Sequence, residues 1–188
     1  MIKLNRLLLI GGTGRNTGKT EFVCSVIAKF SAEHEIYALK VSAIYPDEGI
    51  YHGNHIPEEV DSCLFEETRT QTAKDTSRML RAGAKKVFYL RSDDSGIARH
   101  FEQFRMKLPP AALIVSESNS LGKIVKPGLH VMVRSSTGPV KPRAVKALQE
   151  ADLVIVSDGQ HGFPELARIQ FHETYGWQLH SGEFYSGM

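Results

Sequence analysis

This chain has few cysteines and almost no excess of charge of either sign. Only two cysteines, Cys24 and Cys63, occur in 188 residues, and they form no CxxC pair, which favours a reduced, cytoplasmic compartment over a disulfide-stabilised one. The 23 Lys and Arg residues and 21 Asp and Glu residues give a formal net charge of +2, so a nucleic-acid partner is not indicated. The apolar stretch near the N-terminus is too short for a secretory or membrane segment, and we predict no membrane partner.

The most informative stretch that is present runs from Thr13 to Thr20. It reads TGRNTGKT and has the spacing of the phosphate-binding loop G-x-x-x-x-G-K-[ST], with Thr13 in place of the first glycine. An apolar run precedes it and an amphipathic run follows it, which is the strand–loop–helix order that such a site requires. Backbone N–H groups of such a loop surround phosphate oxygens, and the N-terminus of the next helix adds positive potential. We therefore predict a nucleotide site in which Lys19 contacts the terminal phosphates and Thr20 binds Mg²⁺.

Short apolar runs alternate with helical stripes along almost the whole chain. The alternation predicts an α/β fold with a mostly parallel sheet and helices on both faces, and with the loop it indicates a P-loop NTPase fold. We predict one domain over residues 1–188, with a long polar loop at about 42–73 and a weakly patterned tail from about 162. The predicted strands cover 4–10, 36–41, 85–90, 111–116, 130–133 and 153–156, and the predicted helices cover 19–30, 74–82, a segment with Ile97, Phe101 and Phe104, and a segment from about Pro142.

Acidic residues follow several of the predicted strands, where an NTPase needs a carboxylate near Mg²⁺ or the attacking nucleophile. The candidates are Asp47, Glu117 and Asp158. Glu117 is favoured because its strand is the most uniformly apolar and is therefore expected at the centre of the sheet, although a solvent-facing acid is the alternative. Asp158 can accept hydrogens from the N1 and N2 edge of guanine, and an ordinary turn acid before Gly159 is equally open.

The remaining candidates are basic or lie inside the loop itself. Lys40 is predicted at the carboxyl end of the second strand, where its ammonium would neutralise a phosphate or an acidic substrate; a solvated charge is the alternative. Arg15 would contact phosphates or reach across a dimer, or point outward. We expect Lys19 and Glu117 to be catalytic and Thr20 and Glu117 to bind the metal. The expected nucleotide-binding residues are Thr13, Gly14, Arg15, Asn16, Thr17, Gly18, Lys19, Thr20, Glu21, Lys40 and Asp158.

A zinc site is a separate hypothesis for the long polar loop. His52, His55 and Cys63 fall within it and are residue types that bind zinc. Their spacing matches no strong zinc template, so the hypothesis stays secondary to the nucleotide site.

Several features together resemble the MobB family, the GTP-binding adaptors of molybdopterin-guanine dinucleotide biosynthesis. The phosphate loop has the family's N-terminal position, and Lys40 matches a family lysine. Residues 74–84, KDTSRMLRAGA, look like the family signature K-D-[ST]…R-x-A-G-A. Glu117 with Lys123 and Pro127 is similar to a strand-end V-E-G-x-K…P pattern, with Ser118 in place of the glycine. The resemblance spans roughly Leu7 to Arg134.

A second resemblance points to an enzyme. Residues 12–20, GTGRNTGKT, are similar to the G-T-x-x-x-x-G-K-T loop of dethiobiotin synthetases, which also have threonine in place of the first glycine and a lysine closing the second strand. Both families belong to one broad class of P-loop proteins, and the segment 74–84 favours MobB.

These resemblances imply a first hypothesis: a GTP-preferring, cytoplasmic adaptor with weak Mg²⁺-dependent hydrolysis. It would form a homodimer and meet a partner enzyme of molybdenum cofactor biosynthesis. The alternative is an ATP-dependent enzyme of the dethiobiotin synthetase type, which activates a carboxylate as its phosphate and uses Lys40 to bind the acceptor. A third hypothesis is a regulatory domain that binds a nucleotide without hydrolysing it.

Overall fold

A seven-stranded sheet dominates the structure, a computed structural model that describes residues 1–44 and 63–180. The strand order is β3-β4-β2-β5-β1-β6-β7; β3 is antiparallel to β4, and all other neighbours are parallel. The predicted α/β class and mostly parallel sheet are therefore confirmed. The strands are β1 (Ile2–Gly12), β2 (Ile36–Ala43), β3 (Leu64–Glu67), β4 (Lys86–Ser92), β5 (Leu113–Glu117), β6 (Val125–Ser135) and β7 (Leu153–Ser157).

Helices connect most of the parallel strands. In the described ranges they are α1 (Lys19–Phe30), α2 (Asp75–Arg81), α3 (Ile97–Met106) and α4 (Val145–Gln149), with 3-10 turns at Leu121–Lys123, Pro142–Ala144 and Pro164–Arg168. The bounds of α1 are those predicted, and its apolar residues Phe22, Val23, Val26, Ile27 and Phe30 are all buried. Within residues 1–44 and 63–180, every helix is too short or too polar to cross a lipid bilayer.

Two apolar cores lie on the two faces of the sheet. In β1, Leu8 and Ile10 join the core beneath α1, while Leu7 and Leu9 join the core beneath α3. This alternation follows from the two-residue period of a strand, whose successive side chains point to opposite faces. The prediction that helices cover both faces is thus confirmed.

The central position predicted for the strand of Glu117 is also confirmed. β5 is the fourth of seven strands and lies between β2 and β1, and all five of its residues are buried. The expected end of β2 at Val41 was wrong, because the strand continues to Ala43. Ser42 and Ala43 pair with Arg91 and Ser92 of β4, so backbone hydrogen bonding extends the strand beyond its apolar run.

The prediction of a long polar loop at about 42–73 was wrong for part of that range. Residues 64–67 form β3, which pairs antiparallel with β4 at the edge of the sheet. Phe65 and Tyr89 are opposite each other in this pair, with ring centroids 6.5 Å apart. Cross-strand aromatic pairs of this kind stabilise an edge strand, and β3 is a short one with two apolar residues followed by two glutamates. Residues 45–62 of the predicted loop lie outside the described residues.

The weakly patterned tail contains a second, two-stranded sheet. Its strands are β8 (Ile169–His172) and β9 (Gly176–Leu179). Trp177 of β9 is only 1% exposed, packs edge-on against Phe30 of α1 at 4.7 Å and donates its indole N–H to the Arg6 carbonyl. The hairpin therefore closes the core on the α1 side of the sheet.

Candidate functional site

A cleft of about 890 Å³ lies at the carboxyl ends of the parallel strands. In parallel α/β sheets this edge is where ligands bind. The loop residues from Gly14 to Glu21 line the cleft, together with Lys40 and Glu117. The structure therefore brings the predicted residues into one cavity, with the exception of Thr13 and Asp158.

The loop has its shape because two glycines leave room for neighbouring atoms. Gly18, directly before α1, has a φ of 84°, and a β-carbon there would lie 2.7 Å from Ser157 Oγ. A β-carbon on Gly12 would lie 2.4 Å from Lys19 Cδ. The aliphatic part of Lys19 thus packs over the Gly12 backbone, and only glycine permits that approach.

The Lys19 ammonium is turned inward on the loop. Its Nζ donates to the Gly14 carbonyl at 2.7 Å and to Thr17 Oγ1 at 3.4 Å. Burial lowers the pKa of Lys19; the negative charge of Glu117 opposes the shift, and the positive charge of Lys40 adds to it. An anion that enters the loop would therefore stabilise the charged form of Lys19, which burial disfavours.

A network of side chains joins the loop to the ends of two strands and to α2. Thr20 Oγ1 donates to Glu117 Oε2 at 2.9 Å, and Lys40 Nζ lies 2.9 Å from Glu117 Oε1 and 2.5 Å from Asp75 Oδ2. Burial opposes the charge on Lys40, but the Glu117 charge and hydrogen bonds to both carboxylates outweigh it and raise the Lys40 pKa. Partial burial likewise opposes ionisation of Asp75, but the hydrogen bond from Lys40 outweighs it and lowers the Asp75 pKa. Lys40 is therefore a paired cation and not a solvated one.

Thr13 has a structural position beneath the loop. It is 1% exposed, its N–H donates to the Val133 carbonyl at 3.1 Å, and its carbonyl accepts the N–H of Lys141 at 3.0 Å. Its hydroxyl is buried and has no hydrogen-bond partner among the described residues. These two backbone hydrogen bonds thus anchor Thr13, the first residue of the loop. The nucleotide-binding role of its side chain stays a prediction.

Asp158 lies outside the cleft lining, in an exposed turn after β7. Its Oδ1 accepts the N–H groups of Gln160 and His161 at 2.9 and 3.0 Å, and its Oδ2 lies 2.6 Å from His161 Nδ1. These hydrogen bonds lower the pKa of Asp158. The geometry favours the turn interpretation, and a guanine-binding role stays a prediction.

The zinc hypothesis concerns residues that the structure covers only in part. His52 and His55 lie outside the described residues, and Cys63 packs partly buried against the core beneath α3. Among the described residues, no three His, Cys, Asp or Glu side chains are grouped as a metal site. Cys24 is partly buried in α1, and burial raises the pKa of its thiol to about 11, which suits a packing residue.

Comparison with protein-family models, curated proteins and solved structures gave no match. The resemblances to the MobB and dethiobiotin synthetase families therefore stay predictions that rest on the residues themselves.

Several residues that line the cleft were not predicted as site residues, and three of them, Asp75, Arg78 and Asn119, bond to predicted residues or to the start of the loop. Asp75 begins α2 and bonds to Lys40, and Arg78, one turn later, pairs with Glu21 of α1. Both belong to the segment 74–84, so the signature itself was the available signal. The third residue, Asn119, had no such signal, because it acts by contact with a residue more than 100 positions away.

Asn119 extends the β5–β1 pairing by one side chain. Its Oδ1 accepts the Gly12 N–H at 2.7 Å, and its Nδ2 donates to the Gly12 carbonyl at 3.0 Å. The preceding Ser118 N–H donates to the Ile10 carbonyl at 3.0 Å. The carboxamide of Asn119, two residues after Glu117, thus pairs with Gly12 as the backbone of a neighbouring strand would. These two hydrogen bonds hold Gly12 directly before the phosphate loop.

We expect Asn119→Ala to destabilise the fold by about 1–3 kcal/mol, because it leaves the buried N–H and carbonyl of Gly12 without partners. Urea unfolding followed by circular dichroism measures the change. The matched control is Gln103→Ala on the exposed side of α3, which should stay within about 0.5 kcal/mol of the unaltered protein. Equal stability of the two variants would refute the structural role of Asn119.

Proposed function

We propose that this chain is a P-loop nucleotide-binding protein that prefers GTP, requires Mg²⁺ and hydrolyses the nucleotide slowly. In this proposal it is a MobB-like adaptor of molybdenum cofactor biosynthesis. The observation that carries the proposal is the 2.9 Å hydrogen bond between Thr20 and Glu117 beside the inward-turned Lys19. It joins the end of the phosphate loop to an acid at the end of the central strand, which is the arrangement that phosphoryl chemistry needs.

The oxygen atoms at this position suit Mg²⁺. This ion prefers oxygen ligands and is usually held by one or two carboxylates together with substrate phosphates. Thr20 Oγ1 and Glu117 Oε2 would hold it, and Lys40 Nζ contacts both Glu117 and the Asp75 carboxylate. When bound, Mg²⁺ would neutralise charge on the phosphate oxygens.

The protein's own groups have separable tasks in this proposal. The loop N–H groups and Lys19 bind the phosphates, since an ammonium in a partly buried site interacts strongly with an anion. Glu117, which is 5% exposed, orients a water for attack on the terminal phosphorus. Lys40 forms ion pairs with both Asp75 and Glu117, and these pairs hold the Glu117 carboxylate in position.

The homodimer and the partner enzyme rest on the family resemblance. The guanine preference rests on the resemblance together with the hypothesis for Asp158, and the cytoplasmic location rests on the scarcity of cysteine. They are tested separately from phosphate binding.

One observation favours the alternative, an ATP-dependent enzyme that activates a carboxylate. A second cleft of about 680 Å³ adjoins the first and shares Lys40 and Asp75 with it. Its other lining residues offer aromatic surface and charges of both signs: Phe65, Tyr89, Arg69, Lys74, Glu66 and Glu67. An acidic acceptor in this cleft would meet the nucleotide site at Lys40.

Isothermal titration with GTP and ATP, each with and without Mg²⁺, tests the proposal. We expect GTP to bind at least about tenfold more tightly than ATP, a difference of about 1.4 kcal/mol, and Mg²⁺ to strengthen binding. Tighter binding of ATP, with formation of dethiobiotin from diaminopelargonic acid, CO₂ and ATP, would establish the alternative instead. Absence of binding by either nucleotide would refute both.

A further inference from the structure

The chain after β6 crosses the phosphate loop and is fastened to it. The N–H of Lys141 donates to the carbonyl of Thr13 at 3.0 Å, and the Lys141 carbonyl accepts the N–H of Ala144 at 2.8 Å. A β-carbon placed on Gly14 would lie 3.7 Å from the Pro139 carbonyl, so this segment is in contact distance of the loop. The backbone of Lys141 is therefore fixed against the first residue of the loop.

The side chains that line the cleft carry an excess of positive charge. Six are basic, and three are acidic, namely Glu21, Asp75 and Glu117. Each acid is paired with a lining cation: Glu21 with Arg78, and the other two with Lys40. In the part of the chain that the structure describes, neither Lys19 nor Lys141 has an ion pair with a carboxylate. The six basic residues are Arg15, Lys19, Lys40, Arg78, Lys141 and Arg143.

Lys141 and Lys19 are close enough to repel each other. Burial is the largest cause that lowers the pKa of Lys19, and the charge of Lys141 lowers it further. Their backbones are attached at opposite ends of the loop, Lys19 at the start of α1 and Lys141 through Thr13. An anion between the two ammonium groups replaces this repulsion with two attractions.

We propose that Lys141 is a second phosphate-binding cation, which with Lys19 brackets a chain of linked phosphates. We expect nucleoside di- and triphosphates and inorganic tripolyphosphate to bind more tightly than a single phosphate, because linked phosphates bring more negative charge to the two ammonium groups. This inference rests on the proposed function and names a residue and a ligand chemistry within the same site.

Titration calorimetry with inorganic tripolyphosphate tests the inference without involving the base. We expect Lys141→Ala to weaken binding at least about tenfold, the loss of one charge-assisted hydrogen bond. Lys141→Gln, which keeps part of the stem and a polar head but removes the charge, should show the same loss, and Lys141→Arg should stay within about threefold. The matched control is Lys146→Ala, because Lys146 is on α4 with a side chain 83% exposed and pairs only with Glu150 among the described residues. We expect this control to bind as the unaltered protein does.

The outcomes separate this inference from the proposed function. If the unaltered protein binds neither tripolyphosphate nor GTP, both fail. If the unaltered protein binds and Lys141→Gln binds equally well, only the role of Lys141 fails. If Lys141→Gln loses as much affinity for GMP as for GTP, the inference is also overturned, because Lys141 then does not distinguish linked phosphates from a single phosphate. Thermal melting of each variant confirms that the fold is retained.

Discussion

Lys19→Ala should weaken GTP binding by at least about 100-fold, which corresponds to about 2.7 kcal/mol. The ammonium already lies within the loop, where it donates to the Gly14 carbonyl and Thr17 Oγ1, so little rearrangement separates it from a bound phosphate. Hydrogen bonds to charged groups contribute about 1.5–3 kcal/mol each, and Lys19 is partly buried. Titration calorimetry with Mg²⁺-GTP measures the loss.

The fold should survive this change, because the positive φ angles of the loop are at Gly18 and Asn16, and Lys19 has a helical backbone at the start of α1. Lys126→Ala is a suitable control, since Lys126 is exposed on β6 and pairs in register with Lys3, at the opposite end of the sheet from the cleft. Its GTP affinity should not change. If Lys19→Ala binds GTP as tightly as the control does, the phosphate-loop assignment is wrong.

Glu117→Gln should retain nucleotide binding and slow hydrolysis by about 100-fold, at the lower end of the range for loss of a positioned acid or base. The amide oxygen can still accept a hydrogen bond from Thr20 or Lys40, but it carries no charge to hold Mg²⁺ or orient water. Single-turnover phosphate release measures the rate. We expect the gain in affinity from Mg²⁺ to fall in the same variant.

A matched substitution separates this effect from a general loss of negative charge. Glu102→Gln removes an exposed carboxylate that pairs with Arg105 on α3, away from the cleft. Its hydrolysis rate should equal that of the unaltered protein. An unchanged rate in Glu117→Gln would instead move the catalytic acid elsewhere, and Asp75 is then the nearest candidate because it shares Lys40.

Strong local patterns predicted much of the fold. The helical spacing from Phe22 to Phe30 set the bounds of α1, and the uniformly apolar run before Glu117 correctly indicated a central strand. These predictions succeeded because the periodicity of a buried segment reflects its own secondary structure and needs no knowledge of its neighbours.

The missed elements are stabilised by partners distant in the sequence. β3 has only four residues, two of them glutamates, and it forms because β4 offers a free edge and Tyr89 stacks on Phe65. Trp177 in the tail is buried by Phe30 of α1 and by the Arg6 carbonyl. Neither contact leaves a periodic pattern in its own segment.

The candidate site also has one part that the sequence predicted and another that only the tertiary structure decided. The loop from Gly14 to Thr20 is contiguous, so its motif, its glycines and its position between a strand and a helix were all visible in the chain. Glu117 was predicted from its place at the end of an apolar strand. The tertiary structure alone decided that Thr20 and Lys40 both contact Glu117, that Asp75 pairs with Lys40, and that Asn119 fixes Gly12. The parallel strands end at one edge of the sheet, and this topology brings residues that are far apart in the chain within hydrogen-bonding distance.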